Sequence, residues 1–193
     1  MIRLFRAANR IFGLTAIALS LWALGACQPT VKTADDFHQA GIIAIQKDDL
    51  ATALENLDQA VALESSNPTM LVNRGLVYDE LGEYEDAISD YTAAIALDET
   101  LSTAYYNRAN AHHNLGQFEA AVADYSKAIE QQADFAYAYV NRAINLEVVG
   151  EKEKAIADLT RAVEIFKQNG DTEDVERVTA KIELLKQSSA INQ

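Results

Sequence analysis

The chain has 193 residues, 49% of them apolar, with 16 basic and 29 acidic side chains and a formal net charge of −13. That length and apolar content support a sizeable core, while a strongly acidic surface repels phosphate backbones and sets nucleic acid aside. The single cysteine excludes an internal disulfide and a thiolate metal cluster.

Arg3, Arg6 and Arg10 precede a run from Ile11 to Leu24 that is apolar apart from Thr15 and Ser20, and no acid occurs before Asp35. A basic start, an apolar middle and small residues at the exit form a secretory signal. The run is shorter than the roughly 20 residues needed to cross a bilayer. A retained membrane helix over Phe12–Ala26 stays open as the alternative. The exit itself, Leu24-Gly25-Ala26-Cys27, resembles the lipobox of bacterial lipoproteins. That resemblance implies a signal peptide over 1–26, cleavage between Ala26 and Cys27, and palmitate-type acylation of Cys27 on both sulfur and amine. Several acyl chains make a stable anchor where one does not. Gln28 in place of Asp implies sorting to the outer membrane, facing the periplasm. Loss of residues 1–26 would leave 13 basic against 29 acidic side chains, a charge of −16. Residues 27–33 then comprise the lipidated Cys and a tether. Seven extended residues reach at most about 25 Å, and an acidic domain would be held to anionic headgroups by its lipid alone.

Beyond the tether the chain repeats itself. Gly41, Gly75, Ala109 and Ala143 are spaced by 34 residues, as are Ala53, Ala87, Ala121, Ala155 and Ala60, Ala94, Ala128, Ala162. Self-similarity at a fixed period predicts a helical solenoid. The units are 34–67, 68–101, 102–135 and 136–169. In the first, Thr33 and Asp36 form an N-cap with its reciprocal acid, and a second helix is predicted over Leu50–Leu63. Asn67-Pro68 closes that unit and opens the next helix. Residues 170–187 carry Val175, Val178, Ile182 and Leu185 in one stripe and are predicted to cap the open end; 188–193 is predicted as a frayed tail.

Numbering each unit from 1 to 34, place 4 is large (Leu71, Tyr105, Tyr139), place 8 small, place 11 aromatic in two units (Tyr78, His112, Leu146), and place 15 glycine (Gly82, Gly116, Gly150). Place 17 reads Tyr84, Phe118, Lys152 and place 24 reads Tyr91, Tyr125, Leu159, with alanine at 20 and 27. This pattern resembles the tetratricopeptide repeat. The first unit departs most, with Ala44, Asp48 and Leu50 at places 11, 15 and 17; the usual leucine at place 7 and proline at place 32 are missing. The expected fold is all-α: a right-handed α-solenoid of four helix-turn-helix units plus a C-terminal capping helix.

Units two to four carry Arg74, Arg108 and Arg142 at place 7 and Asp90, Asp124 and Asp158 at place 23, whereas unit one has Ala40 and Asn56. Arginine and aspartate come and go together, so each Arg is expected to reach its Asp across its own hairpin; arginines reading an anionic ligand are the rival.

By the family resemblance, places 2, 5, 9, 12 and 13 line an inner groove. They supply His38, Ile42, Val72, Leu76, Tyr106, Asn110, His113, Tyr137, Val140 and Ile144 as partner contacts, and none of these places holds Lys or Arg. Family members that grip a C-terminal carboxylate use cations there, so that function is rejected. The groove instead suits a segment with apolar anchors and some positive charge. Packing of some of these residues against the cap helix or a second copy also stays open. His112 and His113 point about 100° apart and cannot share one metal ion. Asp35-Asp36, Asp48-Asp49 and Asp79-Glu80 read as caps and solvated faces. No phosphate loop, nucleophile elbow or zinc motif is present. The expected function is therefore a protein-binding scaffold of the bacterial envelope, with no enzyme activity, cofactor, metal or small-molecule substrate, and with a homo-oligomer left open. The alternative is a structural assembly factor for a membrane complex that keeps its N-terminal helix.

Overall fold

A computed structural model describes residues 32–191. Contacts separate Met1–Lys32 from a unit that starts at Thr33; the signal, its cleavage site and Cys27 lie outside the described residues. Among the described residues there are nine α-helices and no strand: α1 (Ala34–Gln46), α2 (Leu50–Leu63), α3 (Pro68–Leu81), α4 (Tyr84–Leu97), α5 (Ser102–Asn114), α6 (Phe118–Gln131), α7 (Ala136–Val148), α8 (Lys152–Asn169) and α9 (Thr172–Ile191). Each packs on its neighbours in the chain, and α3 also touches α1 and α5. This is an all-α helical-repeat fold.

Local sequence sets the helix ends. Thr33 and Asp36 form a reciprocal capping box at α1, and the Asn67 side chain accepts from the amides of Thr69 and Met70 while Pro68 occupies the first turn of α3. Each hairpin turns on one left-handed residue at place 15: Gly82, Gly116 and Gly150 have φ of 72 to 84°, and Asp48 adopts 59° in the same position. The following amide reaches back to a carbonyl five residues earlier, Asp49 to Ala44, Glu83 to Tyr78, Gln117 to His112 and Glu151 to Leu146, which satisfies the last carbonyls of the first helix. Asp48 shows that the turn is a property of the repeat, with glycine its easiest occupant.

The core forms where small meets large. Alanines at places 20 and 27 are fully buried in all four units, letting helix axes approach. Leu57, Tyr91, Tyr125 and Leu159 at place 24 fill the space between, none more than 1% exposed. The last unit is covered by α9, whose Val178, Ile182 and Leu185 pack with Ile165 and Phe166 of α8 in one cluster. The last helix, α9, runs from Thr172 to Ile191.

A row of arginines ties the units together. Arg74, Arg108 and Arg142 each donate Nε and Nη2 to the two oxygens of Asp90, Asp124 and Asp158, all at 2.7 Å. Nη1 then reaches back to the preceding unit: Asp58 at 2.9 Å, Thr92 at 3.0 Å and Ser126 at 2.9 Å. One guanidinium thus joins its own hairpin to the one before. The fork satisfies carboxylates that are only 5–8% exposed, as a buried charge requires. Tyr78, Tyr105 and Tyr139 lie 5.6–5.9 Å from the same guanidiniums, and the aspartate hydrogen bonds push all three arginines up in pKa. With every fork occupied, these arginines serve as ties rather than ligand readers.

Candidate partner-binding groove

The first helices α1, α3, α5 and α7 present the face on which a partner was expected to lie. Leu76 and Ile144 are open on it, 38% and 39% exposed, while Ile42 and Val72 are partly buried. Two of the expected contacts belong to the core instead. Val140 is buried against α8 and α9, and His38 is buried with its Nε2 accepting from Asn73 Nδ2 at 2.7 Å. His38 meets a residue of α3 and Val140 packs with α8 and α9, contacts that the spacing within one helix does not reveal. Tyr137 is exposed but engaged: its hydroxyl donates to Asp174 of α9 at 2.8 Å and its ring meets Phe166 edge-on at 5.3 Å.

Between α5 and α7 the polar residues form a network. Tyr125 donates to Asn110 Oδ1 at 2.5 Å, and Asn141 Nδ2 donates to the same oxygen at 3.2 Å and to the Tyr106 hydroxyl at 3.0 Å. Burial pushes the Tyr125 phenol up in pKa, so it remains a donor. His113 Nδ1 lies 2.9 Å from Asn145 Oδ1, and Asn145 Nδ2 donates to the Asn141 carbonyl at 2.8 Å. Tyr106 is wedged between Tyr125 and Phe135, at 5.7 and 4.6 Å between centroids. A cavity of about 320 Å³ opens here, lined by Asn110, His113, Asn114, Tyr125, Asn141, Ile144 and Asn145. Asn110 Nδ2, Asn141 Oδ1 and the Asn114 amide make no hydrogen bond to the described protein, so the cavity offers both donors and acceptors without a formal charge.

Asn145 was not legible as part of this site. It stands at place 10, where the other units have Ile43, Val77 and Ala111; a polar residue in an otherwise apolar column was the available signal. Asp79 departs from its expected role as a solvated acid. Its Oδ2 accepts from the Tyr91 hydroxyl at 2.7 Å, and burial raises its carboxyl above the usual range. His112 bonds Gln117 at 2.6 Å while His113 faces Asn145. Among the described residues no group of three His, Cys, Asp or Glu side chains is placed to hold a metal ion, and no helix is long and apolar enough to cross a membrane.

Comparison with known families gives this arrangement its class. The tetratricopeptide repeat model matches residues 102–135, a second model described as TPR repeat matches 78–116, and that of anaphase-promoting complex subunit 5 matches 123–189. Tetratricopeptide repeats are thus recognised over residues 78–135. No curated protein matches the sequence. Among solved structures, that of MamA protein is 20% identical with a TM-score of 0.67, covering 81% of this chain and 93% of that one. The first TPR of Spaghetti (RPAP3), bound to an HSP90 peptide SRMEEVD, is 22% identical with a TM-score of 0.60, over 61% of this chain and 94% of that one. A chain of the APC/C hetero-tetramer Cut9-Hcn1 is 18% identical with a TM-score of 0.66, over 77% of this chain and 30% of that one. At these identities the likeness is one of fold.

Proposed function

We infer that this chain is a protein–protein interaction scaffold: a lipoprotein of the bacterial cell envelope, anchored through Cys27, whose repeat groove holds a segment of an envelope protein. The observation that carries the reading is the cavity between α5 and α7, where Asn110, Asn114 and Asn141 keep unused hydrogen-bonding capacity beside the open side chain of Ile144. Polar groups left facing a concavity are suited to a ligand's own donors and acceptors. Tetratricopeptide arrays are in general binding modules rather than enzymes, and the Spaghetti domain holds a peptide. The groove here differs in charge: its lining places carry no Lys or Arg, so an acidic peptide such as SRMEEVD lacks the counter-charge it needs. The lipid anchor is supported by the Leu24-Gly25-Ala26-Cys27 stretch.

Two measurements test this. A photo-crosslinking residue placed at Ile144 should capture an envelope protein that the same residue at exposed Glu55 does not, and capture should fall in Asn110→Leu. Equal capture at both positions would move the binding surface off the groove. Mass spectrometry of the mature N-terminus should find acylated Cys27; an intact Met1 would instead support the membrane-helix assembly factor.

A further inference from the structure

The cavity between α5 and α7 is lined by residues that break the pattern of the repeat. At place 9 the other units carry Ile42, Leu76 and Ile144, whereas unit three carries Asn110. At place 10 they carry Ile43, Val77 and Ala111, whereas unit four carries Asn145. Elsewhere apolar side chains fill both places, and the two departures line the same space of about 320 Å³. The hydrogen bonds fix what that space presents. The Tyr125 hydroxyl meets Asn110 at 2.5 Å, a distance of the O–H···O kind, so the Asn110 oxygen faces the tyrosine. Asn141 Nδ2 donates to that same oxygen and to the Tyr106 hydroxyl, which uses both of its hydrogens. What remains is one donor, Asn110 Nδ2, and one acceptor, Asn141 Oδ1, on two amides bonded directly to each other. Neither is sealed away: among the described residues the buried side-chain atom without a partner is Asp79 Oδ1.

We propose that this cavity is a subsite for a primary carboxamide, the side chain of a glutamine or asparagine in a partner segment. Its carbonyl accepts from Asn110 Nδ2 and its amino group donates to Asn141 Oδ1. Ile144, 39% exposed at the same cavity, receives the methylene stem, which favours the longer glutamine. The inference rests on the reading of this face as the partner groove and names the side chain that the groove selects. Other side chains fit less well. No Lys, Arg, Asp or Glu lines the cavity, so a carboxylate or an ammonium would give up its hydration without a counter-charge. An apolar side chain would strip water from Asn110 and Asn141 and leave them unpaired.

The test titrates the full chain, by saturation-transfer difference NMR, with the N-acetyl N-methylamides of glutamine, glutamate and methionine. The three probes share one main chain and differ only in the side chain. The glutamine probe should bind on the order of tenfold more tightly than the other two. Asn110→Asp removes the donor yet keeps an oxygen for Tyr125 and Asn141, and should erase the preference for glutamine over methionine. Thermal melts followed by circular dichroism establish that this near-isosteric variant is folded, and the comparison of probes on the parent chain does not depend on it. Equal binding of the three probes, binding by none of them, or a glutamine preference that survives Asn110→Asp overturns the subsite. N-acetylglucosamine bound more tightly than the glutamine probe would assign the cavity to a sugar and overturn it as well. The crosslink from Ile144 is blind to which side chain is held, so the groove reading stands or falls on that measurement by itself.

Discussion

Arg108 closes on Asp124 through two parallel hydrogen bonds, Nε to Oδ2 and Nη2 to Oδ1, both 2.7 Å, while its third nitrogen reaches Thr92 of the preceding unit. Removing Arg108 alone strands a carboxylate that is 7% exposed. Arg108→Met should cost about 3–5 kcal/mol, whereas Arg108→Met with Asp124→Leu should return to within about 1 kcal/mol of the parent, because a buried pair replaced whole by apolar groups is near neutral. Urea unfolding of the two single variants and the double variant measures the coupling; additive losses would show that the pair does not act as a unit.

Gly75 lies against the ring of Tyr91 so closely that a Cβ there would sit 2.7 Å from Cε1. The ring cannot simply retreat, since its hydroxyl is fixed to Asp79 on the same helix. Gly75→Ala should cost about 1–3 kcal/mol by overpacking. At Ala109 the methyl is accommodated over Tyr125, whose hydroxyl is held by Asn110 instead. Thermal unfolding compared with that of Ala109→Gly would check whether the two units differ in this way.

Asp79 also makes a prediction about pH. Burial raises its carboxyl in the folded state, so the folded protein holds that proton more tightly than the unfolded chain. The stability it contributes is complete below the ordinary carboxylate value of about 4 and is lost as pH rises through the raised value. Asp79→Asn should therefore raise Tm by a few degrees near neutral pH and by nothing measurable below about pH 4. A Tm gain that persists unchanged in acid would assign the effect to something other than ionisation.

Asp48 holds φ at 59° where the other three hairpins have glycine. Asp48→Gly should stabilise the first hairpin by about 0.5 kcal/mol, the relief of left-handed strain being offset in part by the greater freedom of glycine when unfolded. Hydrogen exchange at the Asp49 amide, which bonds Ala44, would report it locally; faster exchange in the variant would contradict the expectation.

How much of the site could be read beforehand depended on whether a residue answers to its own hairpin or to the next. Leu76 and Ile144 are exposed on their helices, at places that the family resemblance, rather than spacing alone, assigned to the groove. His38 and Val140 have the same spacing yet are buried, because Asn73 and the α8–α9 layer close over them. Asn145 was missed for the same reason, since its partners His113 and Asn141 include one from a different unit. The third contact of each arginine was likewise invisible, as it depends on place 25 of the unit before.

The 34-residue period by itself determined that this protein is a stack of helical hairpins, and which small and large residues meet inside each. A repeat packs by local rules, and local rules are written in the order of residues. The joint presence of arginine and aspartate marked them as partners by the same logic. Only the tertiary structure decided the rest: that Arg74, Arg108 and Arg142 each also tie two units together, that Tyr137 and Glu147 are engaged by α9, and that among the described residues Asp79 keeps one buried oxygen without a donor. Those facts depend on how far one hairpin is displaced from the next. That displacement is set by packing across the interface, where no single repeat carries the information.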